Sequence, residues 1–495
     1  MTPLDPVLCQ RAIATRDARF DGLFFFGVST TKIYCRPICR ARRPKPENCR
    51  FFRHPAAAEH AGFRPCRLCC PEQAPGYAPV DATATMATIA VRAIESGILG
   101  DGGRLETLAD HLGITTRHLR RITADHMGVS PVSLAQTQRL LMAKRLLRET
   151  RLSVSEVALA SGFRSLRRCH ALFQSRYGLP PSAFRLPLLT TRPATDPEPL
   201  SLRLAYRPPF AWAELLHYFM GRAIPGVEAI TPDHYARTLQ IGQCRGWLAI
   251  THEANAQRVR IDFSPSLAGA LPELLVAVRR GFDLDASPHA IADLLGSDPL
   301  LAESVRETPG LRLPGAIDPF ETAVRTIIGQ QVSVAAATTV MGRVVQAFGH
   351  PVTTPWPALN RLTLTPDRLA GESVDTLAPL GLNRARASAI LTLSRAVMEG
   401  RITLNPSPDP GRAIARLQEL PGIGPWTAHY FGMRILGWPD AFIAGDLVVK
   451  KALAPLTTKQ IEARSAAWRP WRSYAVMHLW RSTGFFKTPT PPPAA

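Results

Sequence analysis

The sequence predicts a multidomain, mostly α protein with two smaller segments of mixed α+β character. Three observations lead there. The chain has 495 residues, enough for three or four domains. Two passes of a Leu/Val-Ala helix, a Gly turn and a basic helix follow one another between residues 105 and 185. A long C-terminal stretch carries helical apolar periodicity interrupted by the tight turn Pro421-Gly422-Ile423-Gly424. Lys and Arg number 59 against 39 Asp and Glu, a net charge of +20, which points to a polyanionic partner. No run of 18 apolar residues and no signal peptide is present, so a cytoplasmic chain with no membrane segment is expected. Nine cysteines, most of them in the first 70 positions, do not form the pattern of a secreted disulfide framework.

The first unit is expected over residues 1–79. Cys35 and Cys39 form a C-x3-C pair and Cys66 and Cys69 a C-x2-C pair. Two such pairs suit one tetrahedral zinc ion per chain held by four thiolates. The ordinary role of such a site is structural, because a domain this small has little core of its own. The surrounding residues, FDGLFFFGVSTTKIYCRPICRARRPKPENCRFF and GFRPCRLCCP, resemble the N-terminal domain of the Ada alkylation-response proteins. That resemblance implies that Cys35, zinc-bound with Cys39, Cys66 and Cys69, takes a methyl group from a DNA methylphosphotriester. It also implies phosphate contacts by Arg40, Arg42 and Arg64 and a further DNA contact by Thr31. Zinc keeps Cys35 a thiolate at neutral pH. Four thiolates on Zn²⁺ leave a net charge of about −2, which keeps sulfur nucleophilic, and the thioether product makes the reaction stoichiometric.

A Pro/Ala-rich joint leads into a helical unit expected over 80–186. Its two passes, LETLADHLGITTRHLRRITADHMGVSP and VSEVALASGFRSLRRCHALFQSRYGLPPSAFR, have helix-turn-helix spacing and together resemble an AraC-type DNA-binding domain. Arg117, His118, Arg120 and Arg121 fall on the first recognition helix, and Ser165, Arg167, Arg168 and His170 on the second. Such helices read base edges in the major groove while basic residues anchor phosphates. The bland reading is a small bundle with a solvated basic face. Regulation of this type implies RNA polymerase as a partner and promoter DNA as a ligand. The Pro-Cys-His-Arg context of the Ada family's second methyl acceptor is absent, so repair of O6-methylguanine is not expected.

Residues 187–199 form a Pro/Thr-rich linker. Over 200–287, SLRLAYRPP, HYARTLQIGQCRGWLAITHE and RVRIDFSP alternate apolar and polar residues and predict strands. From 288 to 488 helices are predicted, followed by the tail PTPPPAA. LPGIGPWTAHYF followed by FIAGD, with LRLPGAIDPFETAVRTIIGQQVSVAAA and WRPWRSYAVMHLW on either side, resembles the helix-hairpin-helix glycosylases of the AlkA (3-methyladenine DNA glycosylase II) branch. The segment 200–287 resembles that branch's N-terminal α+β domain, whose role in the family is chiefly structural.

The second resemblance implies specific roles. Asp446 is the catalytic carboxylate, Trp426, Tyr430 and Trp480 line an electron-rich base pocket, and Gly422, Gly424 and Thr427 of the hairpin meet the DNA backbone. A monovalent cation at the hairpin belongs to the same picture. The family's bifunctional lyases carry a Lys in the hairpin helix where this chain has Trp426, so a monofunctional glycosylase is expected. With no Cys after Cys244, the family's iron–sulfur branch is excluded. The family's Leu wedge, which fills the stack left by a flipped base, aligns with Gln331. An Asp before LVVKKAL can also simply cap that helix.

The expected architecture is therefore a small zinc-bound α+β domain, a helical double helix-turn-helix domain, an α+β AlkA N-terminal-like domain and an all-α helix-hairpin-helix glycosylase domain. The expected function is excision of alkylated bases from double-stranded DNA, joined to methyl-triggered transcriptional activation, by a monomer at the nucleoid. The rival is a DNA-binding regulator with a structural zinc and a non-catalytic, damage-binding glycosylase-like half.

Overall fold

The computed structural model describes residues 4–76, 86–100, 103–185, 198–407 and 409–484. The joint near 77–85, most of the 187–199 linker and the C-terminal tail lie outside these described residues. The chain forms two compact units: residues 1–208 with 253–279, and residues 209–252 with 280–495. The stretch 200–287 is thus divided between them.

The first unit begins with a four-stranded sheet of β1 (Phe25–Val28), β2 (Ile33–Cys35), β3 (Cys49–Phe52) and β4 (Arg64–Pro65), in the order β3-β1-β2-β4. β1 pairs antiparallel with β2 and β3, and β4 runs parallel to β2. Side chains alternate across this sheet. Phe25, Tyr34, Phe52 and Phe63 pack on one face, and Phe24, Phe26, Cys35, Cys39 and Cys66 on the other. Neither cluster is large, which is why a metal is needed to hold the sheet's cysteine-bearing end together.

The helical part follows the expected two passes. Helices Leu105–Leu112 and Thr116–Met127 form the first, Val154–Ala160 and Leu166–Tyr177 the second, and the long helix Pro131–Glu149 runs between them. Side chains cap the later starts, though not that of Leu105–Leu112: Thr115 accepts from His118 N, Ser130 from Ser133 N, and Ser165 from Arg168 N. Ser153 and Glu156 form a reciprocal capping box. The helix Pro55–His60 of the cysteine-rich part joins this bundle, with Ala56 in one core cluster beside Ala90, Leu108, Leu119 and Leu134. A buried ion pair, Lys144 Nζ to Glu72 at 2.8 Å, ties the same two parts. The antiparallel strands Leu200–Ala205 and Arg258–Phe263 complete the unit.

The second unit contains the helix Trp212–Met220 and an antiparallel meander of Glu228–Ile230, His234–Ile241 and Cys244–Glu253. The alternation predicted from the sequence holds in Leu200–Ala205 and Arg258–Phe263 but not in this meander, where Tyr235, Ala236, Arg237, Thr238 and Leu239 are buried in succession. Its helices include Pro319–Ile328, Val334–Phe348, Arg384–Met398, Pro425–Arg434, Leu447–Ala452 and Arg472–Ser482. Val324, Ile327, Met341, Ile390, Ala428 and Phe431 belong to a core shared by the first four of these helices. The buried pair Arg237–Glu321, 2.8 Å apart, joins the meander to the helix Pro319–Ile328. Among the described residues no helix is long and apolar enough to cross a membrane.

Candidate functional site

Cys35 ends β2 and Cys39 lies one turn beyond it, while Cys66 and Cys69 follow β4. Because β2 and β4 are parallel neighbours, both pairs emerge at the same end of the sheet. All four sulfurs lie within 4.8 Å of one another. A tetrahedron with Zn–S bonds near 2.3 Å places sulfurs about 3.8 Å apart, so the set fits one zinc ion in donor type, number and spacing. Backbone N–H groups point at three of the sulfurs. Arg36 N donates to Cys69 Sγ and Leu68 N to Cys66 Sγ, each at 3.4 Å, and the Ala41 backbone is bonded to Cys39. No described backbone N–H is bonded to Cys35.

Arg36 was not singled out by sequence reasoning. It is buried, not offered to DNA: Nε donates to Asp21 Oδ1 at 2.8 Å, Nη2 pairs with Asp21 Oδ2, and Nη1 donates to the Cys69 carbonyl at 3.1 Å. Its place inside the C-x3-C loop, amid other arginines, gave no local sign of this. Thr31, Arg40, Arg42 and Arg64 are exposed around the cysteine end. On the recognition helices Arg117, Arg120, Arg121, Arg167, Arg168 and His170 are exposed and His118 is half-buried. Ser165 is the N-cap of the second helix rather than a residue within it. Cys169 is fully buried in the core.

In the second unit a cleft of about 1160 Å³ holds Asp446, Trp426, Tyr430 and Trp480 among its lining residues. Asp446 caps the helix Leu447–Ala452, with Oδ1 accepting from Val448 N at 3.0 Å and Val449 N at 3.1 Å. It does more than cap. Trp480 Nε1 donates to Oδ1 at 3.0 Å and Trp426 Nε1 to Oδ2 at 3.2 Å, so both carboxylate oxygens are aimed by indoles from two other helices. The ring of Trp426 stacks on Tyr430 with centroids 5.1 Å apart.

The cleft has a floor that the sequence reading missed. Tyr218 and Tyr430 share a hydroxyl contact of 3.0 Å, and the buried Arg434 donates to both hydroxyls, at 2.9 Å to Tyr430. The Tyr218 ring lies 7° from parallel to Trp480, with centroids 6.5 Å apart. Burial pushes Tyr218 up to about 12. Burial also raises Tyr430, but Arg434 and Arg222 outweigh it and hold that phenol below its ordinary value. Tyr218 comes from the segment expected to be chiefly structural, and that segment also contributes a wall of the cleft.

The hairpin departs from expectation in two details. Gly422 has φ +85°, and a Cβ there would sit 2.6 Å from the Ala389 side chain, so only glycine fits. Gly424 instead is extended, with φ −82°, as N-cap of Pro425–Arg434. Thr427, expected among the DNA contacts, is turned inward and 3% exposed; its hydroxyl accepts from Gln330 Nε2 at 2.9 Å, and the same amide donates to the Gly422 carbonyl at 2.9 Å. Thr427 therefore braces the neighbouring turn. Gln331 stands exposed at the apex of that turn with φ 55°, a left-handed conformation that few non-glycine residues adopt.

These two sites define a protein with an Ada-type cysteine centre and double helix-turn-helix in one unit and a hairpin glycosylase cleft in the other. Comparison with known proteins agrees segment by segment. The chain matches the metal binding domain of Ada over residues 8–72 and a helix-turn-helix domain family over 108–186. It matches the AlkA N-terminal domain over 201–318 and the HhH-GPD superfamily of base excision DNA repair proteins over 324–472. A probable bifunctional transcriptional activator/DNA repair enzyme AlkA of Mycobacterium tuberculosis is 37% identical over 95% of both chains. DNA-3-methyladenine glycosylase 2 of Escherichia coli is 36% identical over 57% of this chain and 97% of its own length. The bifunctional activator/repair enzyme Ada of the same organism is 36% identical over 26% of this chain and 35% of its own length. The chain belongs to the family of bifunctional transcriptional activator/DNA repair enzymes that join an Ada-type zinc domain to an AlkA-type glycosylase.

Proposed function

We propose that the chain excises alkylated bases of the 3-methyladenine type from double-stranded DNA, and that Asp446 carries the reaction. The supporting observation is the carboxylate held by two indoles at the wall of an aromatic cleft. As the N-glycosidic bond breaks, positive charge grows on the sugar, and a fixed carboxylate stabilises it while water attacks. Trp426, Tyr430 and Trp480 receive the flipped base; a cationic base over such rings gains about 0.5–2 kcal/mol. The exposed glycines of the hairpin and the helix start behind them suit a backbone phosphate, with a monovalent cation at the hairpin as part of the same reading. Release of 3-methyladenine from methylated duplex by wild type, and none from a non-alkylated control, is the test; no release leaves the chain a damage-binding regulator.

The same reading gives Cys35 a second reaction. Its thiolate attacks the methyl carbon of a methylphosphotriester, a C–S bond forms, the C–O bond breaks and the phosphodiester anion leaves. Zinc supplies thiolate character at neutral pH. The backbone N–H···S bonds to the other three ligands draw charge from those sulfurs, leaving Cys35 the most electron-rich of the four. Methylation removes one negative charge beside DNA phosphates. At about 6 Å and an effective dielectric of about 20 this is worth roughly 3 kcal/mol before salt screening. Promoter binding then tightens by tens of fold at low salt and recruits RNA polymerase. A salt titration of DNA binding by methylated and unmethylated protein tests this; equal affinities at low salt remove the charge mechanism.

A further inference from the structure

Glu59, on the helix Pro55–His60, is 5% exposed and takes no part in either reaction. Its carboxylate collects three hydroxyl donors from three different elements. Tyr34 Oη and Tyr177 Oη each donate to Oε1 at 3.1 Å, and Thr137 Oγ1 donates to Oε2 at 3.4 Å. Tyr34 sits on β2 directly before Cys35, Thr137 lies on the long helix Pro131–Glu149, and Tyr177 is the last residue of the second recognition helix. Tyr34 and Tyr177 are themselves buried, and Tyr177 packs on Phe173 and Phe184 with centroids 5.5 and 5.3 Å away. Burial pushes Glu59 up to about 7, and the two phenols pull it down against that rise. Two basic groups also act on Glu59: Arg176, beside Tyr177 on the recognition helix, and Lys144 on the long helix, which is already paired with Glu72.

A buried carboxylate served this way is stable only with its donors in place, since losing one leaves a polar group desolvated and unmatched. Displacement of any one element is therefore felt by the other two. Cys35 is 6% exposed, so a methyl group added to its sulfur has to be accommodated by the end of β2, where Tyr34 is the adjoining residue. We propose that Glu59 is a positioning residue that couples the Cys35 strand to the second recognition helix through Tyr34 and Tyr177. This rests on the reading of Cys35 as methyl acceptor. It adds to the charge effect a mechanical route from the repaired sulfur to the DNA-reading helix.

The test uses full-length protein carrying Glu59→Gln, Tyr34→Phe or Tyr177→Phe. The DNA is a duplex selected by the wild-type chain from a random-sequence pool. Zinc content and methyl uptake at Cys35 are expected to stay at wild-type levels. The gain in DNA affinity on methylation is expected to fall roughly fivefold, the scale of one hydrogen bond. Amide exchange in the helix Leu166–Tyr177 is expected to quicken in Tyr34→Phe although the change lies on another element. Wild-type affinity gain and wild-type exchange in both Phe variants would overturn the coupling. If Glu59→Gln fails to fold, those two variants, each lacking one hydroxyl, carry the test. If wild type itself gains no affinity on methylation, the activator reading falls, and the exchange result still decides the coupling.

Discussion

The indole of Trp480 donates at 3.0 Å to Oδ1 of Asp446, the same oxygen that caps the helix Leu447–Ala452. One carboxylate therefore both starts a helix and is aimed by an aromatic wall of the cleft. The two functions separate on substitution. Asn caps a helix as well as Asp does, so Asp446→Asn is expected to leave the fold and lesion-DNA binding intact while abolishing base release. Gel-shift binding and base release measured on the same methylated duplex check this; release at the wild-type rate removes Asp446 from the chemistry.

Trp480→Phe keeps a ring beside Tyr218 but deletes the N–H that orients Asp446. A hydrogen bond to a charged group is worth about 1.5–3 kcal/mol, so single-turnover excision is expected to slow by at least about tenfold, with little change in lesion affinity. Equal losses in both would mean that the ring, not the N–H, matters.

Purified protein is expected to hold one zinc ion per chain, bound by the four clustered cysteines. Cys39→Ala or Cys66→Ala loses it and unfolds the sheet of β1–β4, whose cores are small. Cys35→Ser abolishes methyl uptake from labelled phosphotriester DNA. Metal analysis and peptide mapping of the label decide both points; label on another cysteine removes Cys35 as the acceptor.

Gln331 projects from the turn apex, with the preceding Gln330 pinned to Gly422 and Thr427. If it fills the stack behind a flipped base, Gln331→Ala weakens binding to abasic-site DNA more than to intact duplex. Its amide also hydrogen-bonds the orphaned partner base in that role. Equal weakening of both duplexes assigns it to general backbone contact.

His478 is 3% exposed, meets Ser304 Oγ at 2.9 Å, and burial with the nearby Arg481 lowers its pKa to about 4. Its unfolded value is near 6.5. The unfolded chain therefore takes up the proton first as pH falls, and stability present above 6.5 is lost progressively down to 4. The loss from this group is at most about 3 kcal/mol. Urea unfolding followed by tryptophan fluorescence across that range is expected to show it, with a flatter profile for His478→Gln.

Much of the molecule was legible in the sequence because it is written in local spacing. The cysteine pairs, the two helix-turn-helix passes with their Thr and Ser caps, the alternation of Leu200–Ala205 and Arg258–Phe263, and the Pro-Gly-x-Gly turn each depend on residues within a few positions of one another. So did Asp446, whose cap role and place after the hairpin are both short-range. The tertiary structure decided the rest, because those contacts join residues with no spacing between them to read. Tyr218 meets Tyr430 across 212 positions and Tyr177 meets Glu59 across 118. Arg36 looked like one basic residue among several until Asp21 and the Cys69 carbonyl enclosed it. Thr427 looked like a DNA contact until packing turned it toward Gln330. Periodicity and spacing tell which face of an element is apolar and which residues start it; only the packing of distant segments tells which polar groups lose water and must find one another.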